Sequence, residues 1–134
     1  MTERRVKAAK AVQDLTEAKD VIQNPSNWMK NKMCNGGDNG AGDCDYDMSD
    51  RFCSLDAIRK VRRHGWMEAQ DALSAAAPRP KHSSPDPYYV AAFNDEPSTT
   101  HADVMALFDL AIEEQCKIVR EEAAKDDPNL PDQG

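Results

Sequence analysis

The sequence predicts a mainly α-helical fold, a single compact domain of about four helices. Two observations carry this prediction: apolar residues recur at steps of three and four along several stretches, and proline- or glycine-rich segments separate those stretches. A length of 134 residues suits one domain with one modest core. We expect residues 1–125 to form this helical domain and residues 126–134 to form a disordered tail.

A first helix is predicted over residues 3–23. Its apolar residues recur every three or four positions with charged residues between them, namely Val6, Ala9, Val12, Leu15, Ala18 and Ile22. Asn24 and Pro25 end this helix, because the residue before a proline is pushed out of the α region and proline lacks the amide that would continue it.

An acidic, glycine-rich loop is predicted over residues 35–50. Its aspartates alternate like the first three ligands of an EF-hand, at Asp43, Asp45 and Asp47. The calcium motif then fails, because Met48 stands where it needs a glycine and Ser54 where it needs a glutamate. A solvated acidic loop is therefore the favoured interpretation.

Two shorter helices are predicted after this loop. The second helix has Ser49 or Asp50 as its cap and ends at His64-Gly65, where glycine is free to adopt the left-handed conformation. A third helix, rich in alanine, ends before Pro78.

The clearest break in the sequence is the segment 78–87, whose four prolines predict a semi-rigid extended linker. The apolar run 88–93 that follows is too short to classify by periodicity, and it suits either a buried strand or a helical turn. A short strand pair between this run and residues near Trp28 is therefore left open beside the helices.

The last helix has the best-marked start in the chain. Thr100 and Asp103 form an acidic variant of the capping box, in which each side chain bonds the other residue's amide. The apolar stripe that follows continues to about residue 124. Asn94 and Asp95, just before this helix, fit a tight entry turn, with a ligand-binding loop as the alternative.

Charge limits the classes of partner. The net charge of −7 at pH 7 disfavours nucleic acid and anionic membranes, and no apolar run approaches the roughly 20 residues needed to span a bilayer. A basic cluster could still contact phosphates from one helix, at Arg59, Lys60, Arg62 and Arg63. Pairing of this cluster with acidic segments, or with a protein partner, is at least as good an account.

Four cysteines stand at positions 34, 44, 53 and 116, and no signal-peptide run precedes them. We therefore expect a cytoplasmic, reducing location, which favours free thiols or a metal site over disulfides. A zinc site could combine Cys34, Cys44 and Cys53 with His101 or Cys116, but the closely spaced cysteine pairs of zinc proteins are missing. Hence neither a metal nor a cofactor is predicted.

Cys53 is a separate candidate because the second helix places it in its first turn. Exposed amides and the helix dipole there could lower the thiol pKa and favour a nucleophile. Catalysis also needs a base and an oxyanion site, for which His64, His101 and Asn94 are distant candidates. A buried structural cysteine is the simpler interpretation.

Three parts of the chain together resemble a family of small bacterial and phage proteins of unknown function. They are Trp28 with a following lysine, the helix segment Cys53-Ser54-Leu55-x-Ala57-Ile58, and Phe93-Asn94-Asp95-x-Pro97-x-x-Thr100-x-x-Asp103-Val104. Phe93 replaces the family's usual tryptophan, and Asn31 stands where a glycine is often found. The resemblance covers about residues 5–120 and implies a compact helical domain that pairs the Cys helix with the Asn-Asp turn. It implies no activity, cofactor or partner.

We expect a small non-enzymatic protein that acts by binding a protein partner, because no catalytic constellation stands out. The candidate binding residues are Trp28, Cys53, Asn94, Asp95 and Thr100. One alternative is a thiol- or metal-dependent site around Cys53, Asn94, Asp95 and His101. Another is a nucleic-acid binder that uses the basic cluster. The sequence leaves the oligomeric state open.

Overall fold

In a computed structural model, residues 2–37, 44–46, 48–61 and 66–126 are described, and they form a single mainly helical domain. The helices in these residues are α1 (Glu3–Val21), α2 (Ser54–Val61), α3 (Trp66–Ala76), α4 (Pro87–Asp95) and α5 (His101–Asp126), with a 3₁₀ turn at Pro25–Asn27. The predicted fold class is confirmed, with one helix more than expected. The predicted tail after Asp126 lies outside the described residues.

The first and last helices, α1 and α5, pack along each other and share the most extensive contact between helices in the described chain. α1 starts at a threonine cap, since the Thr2 hydroxyl accepts from the Arg5 amide at 3.1 Å. The predicted capping box of α5 is present: the Asp103 amide donates to Thr100 Oγ1 at 3.2 Å, and the Thr100 amide donates to Asp103 Oδ2 at 2.9 Å. The starts of α1 and α5 therefore lie where the local sequence predicts them.

One core runs through the domain. Its largest fully buried apolar side chains come from all five helices, from the residue after α1 and from the segment before α2, and they are Leu15, Ile22, Phe52, Ile58, Leu73, Val90, Val104 and Phe108. Small alanines on α1 and α3 are also buried, which lets these helices approach closely. The domain therefore depends on tight helix packing around few large side chains.

The second helix begins at Ser54, so the predicted caps Ser49 and Asp50 are wrong. Ser49 Oγ instead donates to the Asp45 carbonyl at 2.7 Å, and Asp50 accepts from the Asn35 side chain at 2.6 Å. Both side chains close the loop on itself and are not available to a helix. The predicted stop of this helix at positions 64 and 65 lies outside the described residues.

The run 88–93 belongs to α4, and no strand forms within the described ranges. Asp86 caps this helix by accepting from the Tyr88 amide at 2.8 Å, and Pro87 occupies the first turn, where its missing amide is harmless. The open strand pair is therefore excluded for this run. Isolated bridges link Phe52 with Trp28 and with Cys34.

The linker before α4 does not simply extend away from the domain. Arg79 folds back and donates to the Ala75 carbonyl at 2.8 Å and to the Ser83 carbonyl at 3.2 Å. The segment is thereby fastened to the end of α3. No helix in the described chain combines the length and the apolar character that crossing a membrane requires.

Candidate functional site

Asn94 is the centre of a buried polar junction at the end of α4. Its side chain is almost fully buried, and its Oδ1 accepts from Trp28 Nε1 at 2.7 Å. The same oxygen accepts from the Ser54 amide at 3.1 Å and from Ser54 Oγ at 2.6 Å. The first backbone amide of α2, that of Ser54, therefore finds its acceptor in a residue forty positions away along the chain.

The side-chain nitrogen of Asn94 connects the junction to the loop after Trp28 and to Asp95. Nδ2 donates to the Met29 carbonyl at 3.0 Å and to Asp95 Oδ1 at 2.9 Å. Asp95 Oδ1 also accepts from the Asn31 amide at 2.8 Å, and Asn31 has a left-handed φ of 66°. The interpretation of Asn94 and Asp95 as the entry turn of α5 is therefore wrong, because they join α4 to the 28–31 loop and to α2.

Trp28 is held from several sides. Besides its bond to Asn94, its ring centroid lies 5.8 Å from the centroid of the His101 ring. Lys30 Nζ lies 5.6 Å from the same Trp28 centroid. Lys30 Nζ also donates to the Glu96 carbonyl at 2.6 Å, and His101 Nε2 is 2.7 Å from the Ile22 carbonyl. Trp28 and His101 are thus engaged in packing the domain.

Cys53 lies directly before α2, and its sulfur accepts from the Asp56 amide at 3.4 Å. Burial raises the pKa of this thiol from 9.0 to about 11, and the charges of Asp56 and Asp95 add to the increase. The lowered pKa that the nucleophile alternative for Cys53 requires is therefore wrong. Two amides of the first turn do act in that direction, but desolvation outweighs them.

A cleft of about 250 Å³ opens beside Cys53. Its lining includes the apolar residues Met33, Leu55 and Ala91 and the charged residues Lys32, Asp56, Arg59 and Asp95. Of the candidate binding residues, Cys53, Asn94 and Asp95 line this cleft, whereas Trp28 and Thr100 are not among its lining residues. Nor is His101, the fourth residue of the alternative thiol- or metal-dependent site. Thr100 serves the capping box of α5.

The described half of the basic cluster makes internal contacts. Arg59 Nη1 is 3.6 Å from Asp56 Oδ1, and Arg59 Nη2 donates to Gln70 Oε1 at 3.5 Å. Lys60 Nζ is 5.1 Å from the centroid of the Phe52 ring. Arg62 and Arg63 lie outside the described residues.

The cysteines are arranged differently from the expectation. A disulfide joins Cys34 to Cys44, in place of the favoured free thiols or metal site, while Cys53 and Cys116 are free. The zinc set considered from the sequence is not assembled in the described ranges, where Asp56 is instead the residue grouped with Cys34 and Cys44.

Of the calcium-like aspartates in the acidic loop, Asp43 and Asp47 lie outside the described residues. Asp45, which is described, accepts from the Met48 amide at 3.2 Å. Its carboxylate therefore takes part in a local turn.

Several residues of the site could not be singled out from the sequence. Asp56 was not singled out, and Ser54 and Asn31 were named only within the resemblance, with no role, because the roles of all three come from contacts across the fold. A signal did exist for the pairing itself, because the resemblance implied that the Cys helix and the Asn-Asp turn meet. The Ser54 bonds to Asn94 confirm that contact.

The fold and the junction define a small single-domain helical protein in which a buried asparagine and a half-buried aspartate join three segments beside a cleft. A family model described as "Family of unknown function (DUF6197)" matches residues 7–114. The chain belongs to this family. Searches of curated proteins and of solved structures found no match.

Proposed function

We propose that this is a non-enzymatic protein whose protein partner docks at the cleft beside Cys53. The observation that carries the proposal is the cleft itself, whose lining combines the apolar residues Met33, Leu55 and Ala91 with charged residues. Met33 is 42% exposed at this site. A cleft of this kind suits one apolar side chain of a partner, which would be desolvated on binding.

The thiol chemistry supports binding over catalysis. A nucleophilic cysteine must be a thiolate, yet a pKa of about 11 keeps Cys53 protonated at neutral pH. Asn94 Oδ1 already accepts from Trp28 and Ser54, so this side chain is committed to the fold. The alternative of a thiol-dependent site at Cys53, Asn94, Asp95 and His101 has correspondingly less support.

A charged residue that lines the cleft, Arg59, indicates which group of the partner should lie beside the inserted apolar side chain. Arg59 keeps 28% of its side chain exposed and contributes a guanidinium that prefers a carboxylate. We therefore propose a partner segment with an apolar residue next to an acidic one. A cytoplasmic location and a bacterial or phage origin stay predictions.

A pair of neighbouring alanines on α4 provides the test. Ala91 lines the cleft, whereas Ala92 is exposed and is not among the lining residues. Tagged wild-type protein, Ala91→Arg and Ala92→Arg are each incubated with lysate of the organism that encodes the chain, and bound proteins are quantified by mass spectrometry. Circular dichroism first confirms that both variants retain the helical fold.

The expected result is a partner that wild type and Ala92→Arg enrich and that Ala91→Arg loses. Binding of the isolated partner should then fall at least ~100-fold for Ala91→Arg, because an arginine would fill the cleft and place a charge where an apolar group should be buried. The proposal is wrong if no protein is enriched over a charge-matched control, or if both variants capture the same partner equally well. Binding that instead follows nucleic acid and weakens steeply with salt would favour the nucleic-acid alternative.

A further inference from the structure

Three metal-ligating side chains from separate parts of the chain meet at Asp56, which also lines the cleft. The sulfur atoms of Cys34 and Cys44 and a carboxylate oxygen of Asp56 all lie within 4.8 Å of one another. The cysteines are 6% and 5% exposed, and Asp56 is fully buried. This cluster is separate from the hydrogen-bonded Asn94 junction.

Backbone contacts that do not depend on the disulfide hold these residues in place. Cys34 bridges to Phe52, and the bonds from Asn35 N to the Arg51 carbonyl (3.2 Å) and from Cys53 N to the Met33 carbonyl (2.9 Å) flank that bridge. These contacts place Cys34 alongside the segment that leads into α2, the helix that carries Asp56. Cys34 and Asp56 are therefore positioned by main-chain geometry.

The second cysteine is held in a similar way. Asp45 N donates to the Gly37 carbonyl at 2.8 Å, which brings the residue after Cys44 back to the segment after Cys34. Gly36 permits the close return of the loop, because a Cβ there would lie 2.7 Å from the carbonyl carbon of Met48. The two cysteines would thus remain near each other after the disulfide is broken.

The donor set has the chemistry of a zinc site. Thiolate and carboxylate are both common zinc ligands, at about 2.3 Å and about 2.0–2.2 Å from the ion. Ligands around one tetrahedral ion are then roughly 3.5 Å apart, so a cluster within 4.8 Å needs only small side-chain movements. Stabilising a disulfide, in contrast, requires no buried carboxylate beside it.

We propose that Cys34, Cys44 and Asp56 form a zinc site in the reduced protein, and that the Cys34–Cys44 disulfide is the oxidised, metal-free form of the same site. Asp56 also lines the cleft, so a water molecule can occupy the fourth coordination position from that side. Asp56 and Arg59 both line the cleft, but the test of the zinc site needs no docking partner, so its outcome is separate from that of the proposed function.

Charge and redox balance are consistent with this exchange. A small-molecule thiol reductant breaks the S–S bond, giving two electrons and two protons to the cysteines, and is itself oxidised to a disulfide. Zinc then displaces the two thiol protons and binds two thiolates and one carboxylate, for a net charge of −1. The guanidinium of Arg59, 3.6 Å from Asp56 Oδ1, offsets that charge.

Metal titration of the full chain in both redox states tests the site. Protein reduced with a phosphine and stripped by a chelator is titrated with Zn²⁺ against a chromophoric competitor, and Co²⁺ replaces zinc for absorption spectra. We expect one Zn²⁺ per chain, thiolate-to-cobalt charge-transfer bands, and release of two protons for each ion. The oxidised protein should bind no stoichiometric zinc at this site.

Substitutions show which residues ligate the metal. Cys44→Ser and the isosteric Asp56→Asn should weaken zinc binding by ~100-fold or more, since each removes a charged ligand. Cys116→Ser removes a thiol outside the cluster and should bind zinc like wild type. If Asp56→Asn fails to fold, X-ray absorption of the wild-type zinc complex replaces it, with two sulfur and two oxygen or nitrogen ligands expected.

Three outcomes would overturn the proposal. The first is a reduced wild-type protein that does not bind zinc, and the second is a Cys44→Ser variant with wild-type affinity. The third is a metal shell without two sulfur ligands.

Discussion

At the scale of single residues, Asn94 shows how one buried side chain can organise three segments. Its oxygen accepts three hydrogen bonds and its nitrogen donates two, so the side chain is used fully inside the protein. The donors that face it from Trp28 and Ser54 are partly or wholly buried, and water cannot readily replace the lost acceptor. The free energy of unfolding should therefore depend strongly on this one residue.

Replacing Asn94 should destabilise the protein strongly. Asn94→Ala leaves Trp28 Nε1 and the Ser54 amide without their acceptor, and we expect a loss of about 3–5 kcal/mol in the free energy of unfolding. Urea denaturation followed by circular dichroism measures it. Asn35 is the matched control, because it also makes several side-chain hydrogen bonds but is exposed, and Asn35→Ala should cost about 1 kcal/mol or less.

The raised pKa of Cys53 predicts a loss of stability in alkali. The folded thiol ionises near pH 11 and the unfolded thiol near pH 9, so the unfolded chain binds fewer protons between these values. The contribution of the protonated Cys53 thiol to the free energy of unfolding is therefore fully present below pH 9. It is lost as pH rises towards 11, by about 2–3 kcal/mol in total.

Urea denaturation at a series of pH values measures this slope. Cys53→Ala should flatten it, whereas Cys116→Ser should keep it. An unchanged slope in Cys53→Ala would show that other groups cause the alkaline loss, and that the Cys53 pKa lies near its usual value.

At the scale of elements, local sequence predicted those helices whose signals are local. α1 and α5 have long apolar stripes with caps at adjacent positions, and both were found close to their predicted bounds. The start of α2 was missed because its first amide bonds to Asn94 across the fold. α4 stayed ambiguous because its apolar run spans less than two helical turns, and the cap that settles it, Asp86, lay inside the predicted linker.

The same division holds for the candidate site. The sequence indicated Cys53, Asn94 and Asp95, because a helix start and a turn-forming pair are visible locally. Asp56 was not indicated, since nothing in its surroundings along the chain shows that it is buried beside two cysteines. Burial of a charged residue is a property of the packed helices, and so it emerges only with the fold.

The pairing of α1 with α5 should weaken in acid. Glu122 on α5 accepts from Arg4 at 2.8 Å and from Thr2 at 3.3 Å, and chiefly the Arg4 bond holds the pKa of this carboxyl below its usual value. The unfolded state then binds more protons as the pH falls, so this stabilisation is present above the ordinary glutamate pKa and is lost below it.

Substitution of neighbouring glutamates isolates this contribution. Glu122→Gln should lower the melting temperature at neutral pH and flatten the acid limb of the stability profile. Glu121→Gln is the control, because Glu121 is exposed, and its profile should match wild type. Identical profiles for all three proteins would show that the contact of Glu122 with Arg4 does not stabilise the helix pair.

At the scale of the whole molecule, helix packing stabilises one part of the described chain, and a disulfide with side-chain hydrogen bonds stabilises another. α1, α3 and α5 contact one another extensively, while the segment between the 3₁₀ turn and α2 has no helix of its own among the described residues. The hydrogen bonds to Asn94 and Asp95 fasten that segment to α4, and the Cys34–Cys44 disulfide closes a loop within the segment. Reduction therefore acts first on this segment, because none of the helices contains either cysteine.

Reduction should destabilise the chain without abolishing its helices. The disulfide closes a loop between cysteines ten positions apart. Its loss should lower the free energy of unfolding by about 2–3 kcal/mol, mainly because the unfolded chain gains freedom. Urea denaturation with and without a phosphine reductant measures this, and a Cys34→Ser, Cys44→Ser double variant should show the lower stability in both conditions.

Zinc separates a purely structural disulfide from the exchange proposed above. Free Zn²⁺ at 100 times its dissociation constant should restore about 2.7 kcal/mol to the reduced wild-type chain, because it binds the folded state alone. The double variant should gain no such stability, since it lacks both thiolates. A reduced wild-type protein that stays destabilised in zinc would instead mean that the two cysteines act only as a covalent link.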